Sequence, residues 1–291
     1  MRALILLITA LLCAAAPALA EELLIVQSGR DRSSTELRQS VIRTVPVTTQ
    51  VLVLSDYAEV DLPRIVREEQ PDVILTIGEA ALKSAKKVRG VPVVAVMALS
   101  LDASQRIPAN VTGIDLRIEP TNYMNIFKAM GLKQVGVEYD RARSGAYLAR
   151  AQHAAAQAGI ELVLRPAKDP KEAVKKLDSL KGNVTDCLWL VPDVSVMSSL
   201  ALEADVNFSL EQKKPIISYT KEHLNKGAAV ALNLDWAQMG MQAGGITNRL
   251  LNGAAPQDIP VQSPQAFFLR SNESVLRNLG ISSIAVKKLF P

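Results

Sequence analysis

The chain has 291 residues, of which 48% are hydrophobic and 21% are charged, and its formal net charge is +4. This composition allows a large buried core and excludes the low hydrophobicity and high charge that are typical of a disordered chain. The basic residues are scattered along the chain rather than clustered, so nothing indicates a nucleic-acid partner. The chain has two cysteines, and one of them, Cys13, lies in the first apolar run. Cys187 would then stand alone, so we predict no internal disulfide.

Residues 1–20 resemble an export signal. Arg2 supplies a positive start, residues 3–16 carry no charge, and Ala18-Leu19-Ala20 is a cleavage site of the A-x-A type. The apolar run is shorter than the roughly 20 residues that a membrane-spanning helix needs. We therefore expect a periplasmic protein whose mature chain begins at Glu21. An uncleaved membrane anchor is the alternative.

The rest of the chain alternates between patterns of buried strands and amphipathic helices. Short continuous apolar runs predict five strands before residue 115, at 23–26, 50–54, 72–77, 93–96 and 111–114. A second set follows at 134–139, 161–164, 187–191, 215–218 and 229–233. Because helical patterns separate the strands, we predict an α/β fold with two doubly wound parallel-sheet lobes. The predicted helix caps are Ser33, which forms a capping box with Glu36, and Asp61, Ser144 and Ser195.

The last segment determines the predicted domain organisation. A helical pattern after residue 235 and a short strand at 267–269 are too little for a third domain, so they must be parts of the two lobes already predicted. We predict that residues 21–116 plus 235–262 form lobe 1. Residues 117–234 plus 263–291 are predicted to form lobe 2. The chain would then pass between the lobes near 115–119, 233–236 and 261–266, which makes a multi-crossover hinge.

A ligand of such a fold lies beyond the carboxyl ends of the parallel strands. That rule selects the loops that follow the strands. The candidate ligand-binding residues in or beside those loops are Ser28, Gly78, Glu79, Ala80, Met97, Ser144, Asp193, Ser195, Tyr219, Asp235 and Trp236.

These residues differ in the chemistry that they offer, and each has a purely structural alternative. Gly78 allows a sharp turn into a helix whose free N–H groups could hold an anion. Glu79 and Asp193 could accept hydrogen bonds from a ligand amine, although an acid at a helix start also stabilises the helix. Tyr219 and Trp236 could stack on a flat ligand, or they could be ordinary packing residues. Ser144 and Ser195 could face the ligand or serve only as helix caps.

Several short motifs recur in order along the chain. They are Thr76-Ile77-Gly78-x-x-Ala81, Val91-Pro92-Val93-Val94, Asn110-Val111-Thr112-Gly113, Val135-Gly136-Val137-x-Tyr139, Val191-Pro192-Asp193, Lys214-Pro215-Ile216-Ile217-Ser218, Leu251-Asn252-Gly253-Ala254-Ala255-Pro256, Ile259-Pro260-Val261 and Leu276-x-x-Leu279-Gly280-Ile281. In this order they resemble the substrate-binding proteins of ABC transporters, in the type I periplasmic binding protein group that includes tryptophan- and tyrosine-binding members. The resemblance implies that two lobes close on a small molecule, such as an amino acid or a similar small polar or aromatic compound. It also implies delivery of that molecule to a membrane permease.

Other classes of function receive less support. The chain has no G-x-S-x-G elbow, Walker loop or G-x-G-x-x-G fingerprint, so we do not expect an enzyme. His153 and His223 lack further ligands at metal-binding spacing, and we expect neither a metal nor a cofactor. We expect a monomer. The alternative function is a ligand-sensing protein that docks on a membrane receptor or sensor kinase without transport.

Overall fold

The structure is a computed structural model that describes residues 22–101 and 107–282. The predicted export signal therefore lies outside the described residues. The strands are β1 (Glu22–Gln27), β2 (Thr48–Val53), β3 (Val73–Ile77), β4 (Val93–Val96), β5 (Val111–Gly113), β6 (Gln134–Tyr139), β7 (Glu161–Pro166), β8 (Cys187–Trp189), β9 (Ile216–Ser218), β10 (Val230–Leu234) and β11 (Phe267–Ser271). The helices are α1 (Arg32–Thr44), α2 (Leu62–Glu69), α3 (Glu79–Ala85), α4 (Pro120–Ala129), α5 (Arg141–Ala158), α6 (Pro170–Lys176), α7 (Ser199–Gln212), α8 (Trp236–Leu251) and α9 (Glu273–Asn278). Within this part of the chain, no helix has the length and apolar character that a membrane crossing requires.

The first sheet contains β1 to β5, and we call this sheet with its helices lobe 1. Its strand order is β2-β1-β3-β4-β5, and every pairing is parallel. β3 and β4 are buried along their whole lengths because helices cover both faces of the sheet. Burial on both faces of the sheet therefore explains the continuous apolar runs from which these two strands were predicted.

The second sheet contains β6 to β11 and defines lobe 2. Its order is β11-β10-β9-β8-β6-β7, with parallel pairings except at one edge. There β11 pairs antiparallel with β10, so the last predicted strand joins a sheet that already exists. The prediction of an α/β fold with two parallel-sheet lobes is confirmed.

Three predicted helix caps are wrong by a few residues. Asp31 rather than Ser33 begins α1, and its carboxylate accepts the N–H of Ser34 at 2.9 Å. α5 begins after Asp140, whose carboxylate accepts the N–H of Ala142, so Ser144 lies inside that helix. Ser198 rather than Ser195 caps α7. In each case an equally good capping residue stands nearby, and the local pattern does not choose between them.

The chain passes between the lobes three times. Residues 114–119 lead from β5 to α4, Asp235 leads from β10 to α8, and a segment ending at Ala266 leads from α8 to β11. We call 114–119 the first crossover. The predicted domain limits at 116/117, 234/235 and 262/263 fall in these connections and stay a prediction.

α8 belongs to lobe 1 by its packing against α1. Gly240 faces the carbonyl of Leu37 and lies so close to α1 that a Cβ there would stand 2.7 Å from the Cβ of Ser40. Gly244, one turn later, faces Thr44 in the same way. The two glycines let the helices approach closely, and this places Trp236, the first residue of α8, beside the second passage between the lobes.

This close approach predicts opposite effects for two glycines of one helix. Gly240→Ala should lower the free energy of unfolding by about 1–3 kcal/mol, because the added methyl group overlaps α1. Gly245→Ala should raise it by up to about 1 kcal/mol, since alanine favours the helix and a Cβ there meets no atom within 4 Å. Urea unfolding of both variants measures the effects, and equal stabilities would contradict the proposed packing.

Two acidic side chains lie side by side inside lobe 2. Glu138 on β6 is half-buried, and Asp205 on α7 is 2% exposed. Burial raises the pKa of Glu138 far above its usual range, and the charge of Asp205 raises it further. Burial also raises the pKa of Asp205, although Glu138 opposes part of that shift. The folded protein therefore holds protons here that the unfolded chain loses near pH 4.

Because both folded-state pKa values are raised, this pair should make the fold less stable as the pH rises. The loss begins near the unfolded-state pKa of about 4 and continues up to the raised values. Glu138→Gln keeps the shape of the side chain and removes one ionisable group, so the pH dependence between about pH 5 and 8 should weaken. Unfolding free energies at several pH values test this, with the exposed Glu161→Gln on the neighbouring strand as control. An unchanged pH slope in Glu138→Gln would rule out the pair as its source.

Candidate functional site

A cavity of about 170 Å³ lies where the passages between the lobes meet lobe 2, and we call it the hinge cavity. No charged side chain is among the residues that line it. The lining residues are Leu116, Ile118, Tyr123, Pro192, Tyr219, Thr220, Asn233, Leu234 and Trp236. Tyr219 and Trp236, which the sequence predicted as stacking residues, therefore lie in one space.

Each aromatic residue of the lining reaches the cavity from a different element. Tyr123 lies in the first turn of α4, where Pro120 begins the helix. Tyr219 directly follows β9 at its carboxyl end. Trp236 begins α8, and Asp235 caps that helix by accepting the N–H of Gln238 at 3.0 Å. The rings are thus positioned by regular elements rather than by a long loop.

Further aromatic rings support the cavity from behind. Trp189 is fully buried, and its ring centroid lies 4.8 Å from that of Tyr123. Phe127 and Tyr147 pack on the same indole, with centroid distances of 5.7 and 6.0 Å. Such contacts hold the ring of Tyr123 in place and leave little space for it to collapse inward.

The polar groups of the cavity are neutral. Asn233 Oδ1 accepts the N–H of Lys221 at 3.1 Å, and this fixes the loop after Tyr219. Burial raises the pKa of Tyr219, and the nearby carboxylate of Asp193 raises it further, so the phenol keeps its proton at neutral pH. Burial lowers the pKa of His223, whose ring packs 5.2 Å from that of Tyr219. Ser218 Oγ lies 2.6 Å from His223 Nδ1 and holds the imidazole behind the tyrosine.

A second space of about 390 Å³, which we call the outer cleft, adjoins the hinge cavity at Pro192. Unlike the hinge cavity, it presents charges of both signs and has walls from both lobes. Its lining residues are Leu99, Ser100, Arg117, Asp140, Ala142, Arg143, Pro192, Asp193 and Val194. Loops after β4, β6 and β8 supply most of these residues, so the carboxyl ends of both sheets face this cleft, as expected for an open parallel sheet.

Asp193 lies at the wall of the outer cleft, but its carboxylate is used inside lobe 2. The residue is 2% exposed. Asp193 Oδ2 accepts the N–H of Asp140 at 2.9 Å and the hydroxyl of Ser144 at 2.6 Å. Asp193 Oδ1 accepts the N–H of Ser195 at 3.0 Å. Asp193, Ser144 and Ser195 thus form one network that fastens the loop after β8 to the start of α5. A contact of these residues with a ligand stays a prediction.

The candidates of lobe 1 also cluster, but away from the hinge cavity. Gly78 has φ +96°, and a Cβ there would stand 2.6 Å from Ser28 Oγ. That hydroxyl accepts the N–H of Ala81 at 3.0 Å, so Ser28 stabilises the first turn of α3. Glu79 is exposed and accepts the N–H of Ser100 at 3.2 Å. Met97 has a left-handed backbone with φ +56°.

In the described structure, neither the hinge cavity nor the outer cleft is lined by these lobe 1 candidates. Ser28, Gly78, Glu79, Ala80 and Met97 stand on loops at the carboxyl ends of β1, β3 and β4. Their role in ligand binding stays a prediction.

The lining residues that the sequence reasoning missed belong mainly to connections and to a helix. Leu116 and Ile118 lie in the first crossover, which was predicted as a hinge but not as a wall. Tyr123 shares a helical stripe with ordinary core residues, so its pattern carries no signal of a ligand. Asn233 and Leu234 end β10 and fall within the predicted second passage at 233–236. Pro192 and Thr220, which stand directly beside the candidates Asp193 and Tyr219, were missed as well. A rule that includes the crossovers would have found four of these seven residues.

No group of three or more His, Cys, Asp and Glu residues suited to a metal ion occurs in residues 22–101 and 107–282. The two spaces offer neutral aromatic contacts in the hinge cavity and charged groups in the outer cleft.

Comparison with known proteins supplies the family. Residues 57–285 match the family described as ABC transporter substrate binding protein. The chain belongs to this family. Its members are binding proteins rather than enzymes, which confirms the expectation from the missing catalytic motifs.

Individual relatives agree with this assignment. A tyrosine-binding protein of Clostridioides difficile (strain R20291) is 24% identical over an alignment of 179 residues, and the alignment covers 58% of this chain and 51% of that protein. The chain thus spans about half the length of the curated relative that it matches.

Two solved structures share the fold at 18% sequence identity. One is a ligand-free, open substrate-binding protein with adhesive properties from Clostridium difficile, with a TM-score of 0.70 over 90% of this chain and 95% of that chain. The other is an ABC domain in complex with L-Trp from Streptococcus pneumonia, with a TM-score of 0.65 over 92% of this chain and 98% of that chain. At 18% identity, these likenesses show that the three chains share a fold and show nothing further.

The Asp193 network predicts a stability loss for a substitution that the sequence alone would place in ligand binding. Asp193→Asn keeps the shape but puts an amide NH₂ where an oxygen accepts a backbone N–H. It should lower the free energy of unfolding by about 1–3 kcal/mol. Glu79→Gln is the matched control, since that carboxylate is exposed, and it should unfold like the wild type. Wild-type stability of Asp193→Asn together with lost solute binding would instead support a direct ligand contact.

Proposed function

We propose that this protein is an exported solute-binding protein that captures a small molecule with a flat, uncharged ring and delivers it to an ABC permease. The observation that carries the proposal is the lining of the hinge cavity. Three of the nine lining residues are aromatic, and none carries a charge. A charged group placed there would lose its hydration without gaining a partner, so the cavity favours a neutral ring.

The size of the cavity fits one ring. An engineered apolar cavity of about 150 Å³ in another protein binds benzene. The hinge cavity, at about 170 Å³, is slightly larger and carries neutral polar groups on one side. A phenol or a similar substituted ring would fill it.

The distribution of aromatic residues supports the same class of ligand. The chain has only 2 Trp, 5 Tyr and 5 Phe in 291 residues. Three of them line the hinge cavity, Trp189 packs behind Tyr123, and Phe127 and Tyr147 pack on the indole of Trp189. Aromatic side chains supply rigid contact area and offset or edge-to-face ring contacts, which suit an aromatic ligand.

The outer cleft suits the polar part of such a ligand. Asp140 and Arg143 present charges of opposite sign next to Pro192, where the two spaces meet. An aromatic amino acid combines a neutral ring with an ammonium and a carboxylate group, so it matches both spaces. The tyrosine-binding relative and the L-Trp complex of a structural neighbour agree with this choice.

Lobe closure would complete the site. We propose that the two lobes move as rigid bodies about the crossovers and that closure brings the loops of lobe 1 over the bound ring. Ser28, Gly78, Glu79, Ala80 and Met97 stand at the carboxyl ends of lobe 1 strands, so these residues would then approach the ligand.

Tryptophan fluorescence tests the proposal directly, because the two tryptophans differ in position. Trp236 lines the hinge cavity, whereas Trp189 is buried behind it. L-tyrosine, L-phenylalanine, L-leucine and L-glutamate are titrated with excitation that tyrosine does not absorb. The aromatic amino acids should change the emission at saturable concentrations, and the other two should not.

Two variants assign the signal. Trp236→Phe keeps a ring in the cavity, so calorimetric binding should persist while the fluorescence change disappears. Trp236→Ala should weaken binding by about tenfold, because a ring contact is lost. If only aliphatic or charged solutes bind, or if Trp236→Ala binds aromatic solutes as well as the wild type, the proposed ring site is wrong.

A further inference from the structure

One buried cation connects the two lobes across the outer cleft. Arg117 lies in the first crossover, and its side chain is 2% exposed. Its Nη1 donates to the carbonyl of Leu99 in lobe 1 at 3.3 Å. Its Nη2 donates to the carbonyl of Arg143 in lobe 2, also at 3.3 Å. A single guanidinium thus holds the loop after β4 and the first turn of α5 at a defined separation.

The crossover that carries this side chain is fastened to lobe 2. Tyr147 of α5 donates its hydroxyl to the carbonyl of Ile118 at 2.8 Å. Arg150, also on α5, lies 3.9 Å from the carboxylate of Asp115. The guanidinium of Arg117 itself stacks over the ring of Tyr147 at 5.8 Å. Arg117 should therefore move with lobe 2.

On the other side of the pivot, the chain is fastened to lobe 1. Ile114 donates its N–H to Ala95 of β4 at 2.9 Å. The pivot between the lobes thus lies between Ile114 and Ile118, and Arg117 reaches back across it to Leu99. When lobe 1 rotates, this contact must change.

The geometry of the contacts suits a reversible connection. Hydrogen bonds from a guanidinium to a charged acceptor are commonly about 2.7–2.9 Å long. The bond of Arg117 to the carboxylate of Asp115 is 3.3 Å long, longer than that range, and its bonds to the carbonyls of Leu99 and Arg143 have the same length. The fork of the guanidinium suits it to bridge two carbonyls, which the point charge of lysine does less well.

We propose that Arg117 is a latch that holds the lobes open in the absence of solute. Ser28, Gly78, Glu79, Ala80 and Met97 do not line the hinge cavity in this arrangement, so the strand-end loops of lobe 1 that carry them do not close over it. Closure of the lobes would break the hydrogen bond between Arg117 and the carbonyl of Leu99. The latch thereby sets how much binding free energy a solute must supply to close the lobes. The proposal rests on the proposed function only for the solute that drives closure.

The distance between the lobes tests the latch without any ligand. Spin labels are placed at Tyr57→Cys in lobe 1 and Leu200→Cys in lobe 2. Both positions are exposed, at 58% and 61%; Tyr57 lies between β2 and α2 of lobe 1, and Leu200 lies in the first turn of α7 of lobe 2. The native Cys187 is fully buried and should not react. In unliganded protein, Arg117→Lys should shift the distance distribution toward shorter values and broaden it.

A matched control isolates the side chain of Arg117. Arg143→Ala removes an exposed side chain but keeps the backbone carbonyl that accepts the latch bond, so its distance distribution should equal that of the wild type. If Arg117→Lys does not fold, the double variant Asp115→Asn/Arg117→Met removes both charges together and avoids an unpaired buried carboxylate. A distribution like that of the wild type in the folded Arg117 variant overturns the latch.

A solute titration gives a second readout. With L-tyrosine as the probe, Arg117→Lys should bind several-fold more tightly, up to about tenfold, because less free energy is needed to close the lobes. If L-tyrosine binds neither protein, the proposed ligand class fails while the distance measurement still decides the latch. If L-tyrosine binds both with equal affinity, the latch is wrong and the proposed function stands.

Discussion

The architecture depends on a short backbone pairing between the passages that join the lobes. Gln262 donates its N–H to the carbonyl of Gly113 at 3.0 Å, and Asp115 donates its N–H to the carbonyl of Gln262 at 2.8 Å. Thr112 reinforces the pairing through a 2.6 Å bond from its hydroxyl to the carbonyl of Ile259. Two connections that are distant in sequence are thus held parallel at one edge of lobe 1. A pair of linked connections restricts the lobes to a hinge motion, whereas a single flexible linker would let them separate.

This pairing also explains why the site has two parts of different character. Eight of the nine residues that line the hinge cavity come from lobe 2 and the connections, so most of its lining is the same whatever the angle between the lobes. Trp236 is the exception, because it begins α8 of lobe 1. The outer cleft has walls from both lobes, so its shape depends on that angle. In the proposed function, a ring can enter the hinge cavity first, and the polar part of the solute then drives closure. The division places most of the neutral contacts in the fixed region and the charged contacts in the moving one.

The sheets could be predicted from the sequence, while several details of the helices could not. Buried parallel strands require continuous apolar runs, and such runs occur at β3 and β4. The antiparallel pairing of β11 depends on where the chain returns from lobe 1, which no local pattern encodes. Helix starts were misplaced where two capping residues compete. Asp31 and Ser33 could both cap α1, and tertiary contacts decide between them.

The candidate site shows a similar limit. The location of Tyr219 and Trp236 beside a cavity could be predicted because each follows a strand at its carboxyl end. Position along the strand determines which edge of the sheet a residue occupies. Position does not determine where a polar side chain points. Asp193 stands at the predicted edge, yet its carboxylate accepts hydrogen bonds from Asp140, Ser144 and Ser195 within its own lobe. A buried carboxylate must accept hydrogen bonds from nearby donors, because burying it without them costs free energy. The donors of the neighbouring loops, rather than the strand pattern, therefore decide whether an acid at a strand end faces the ligand or the protein.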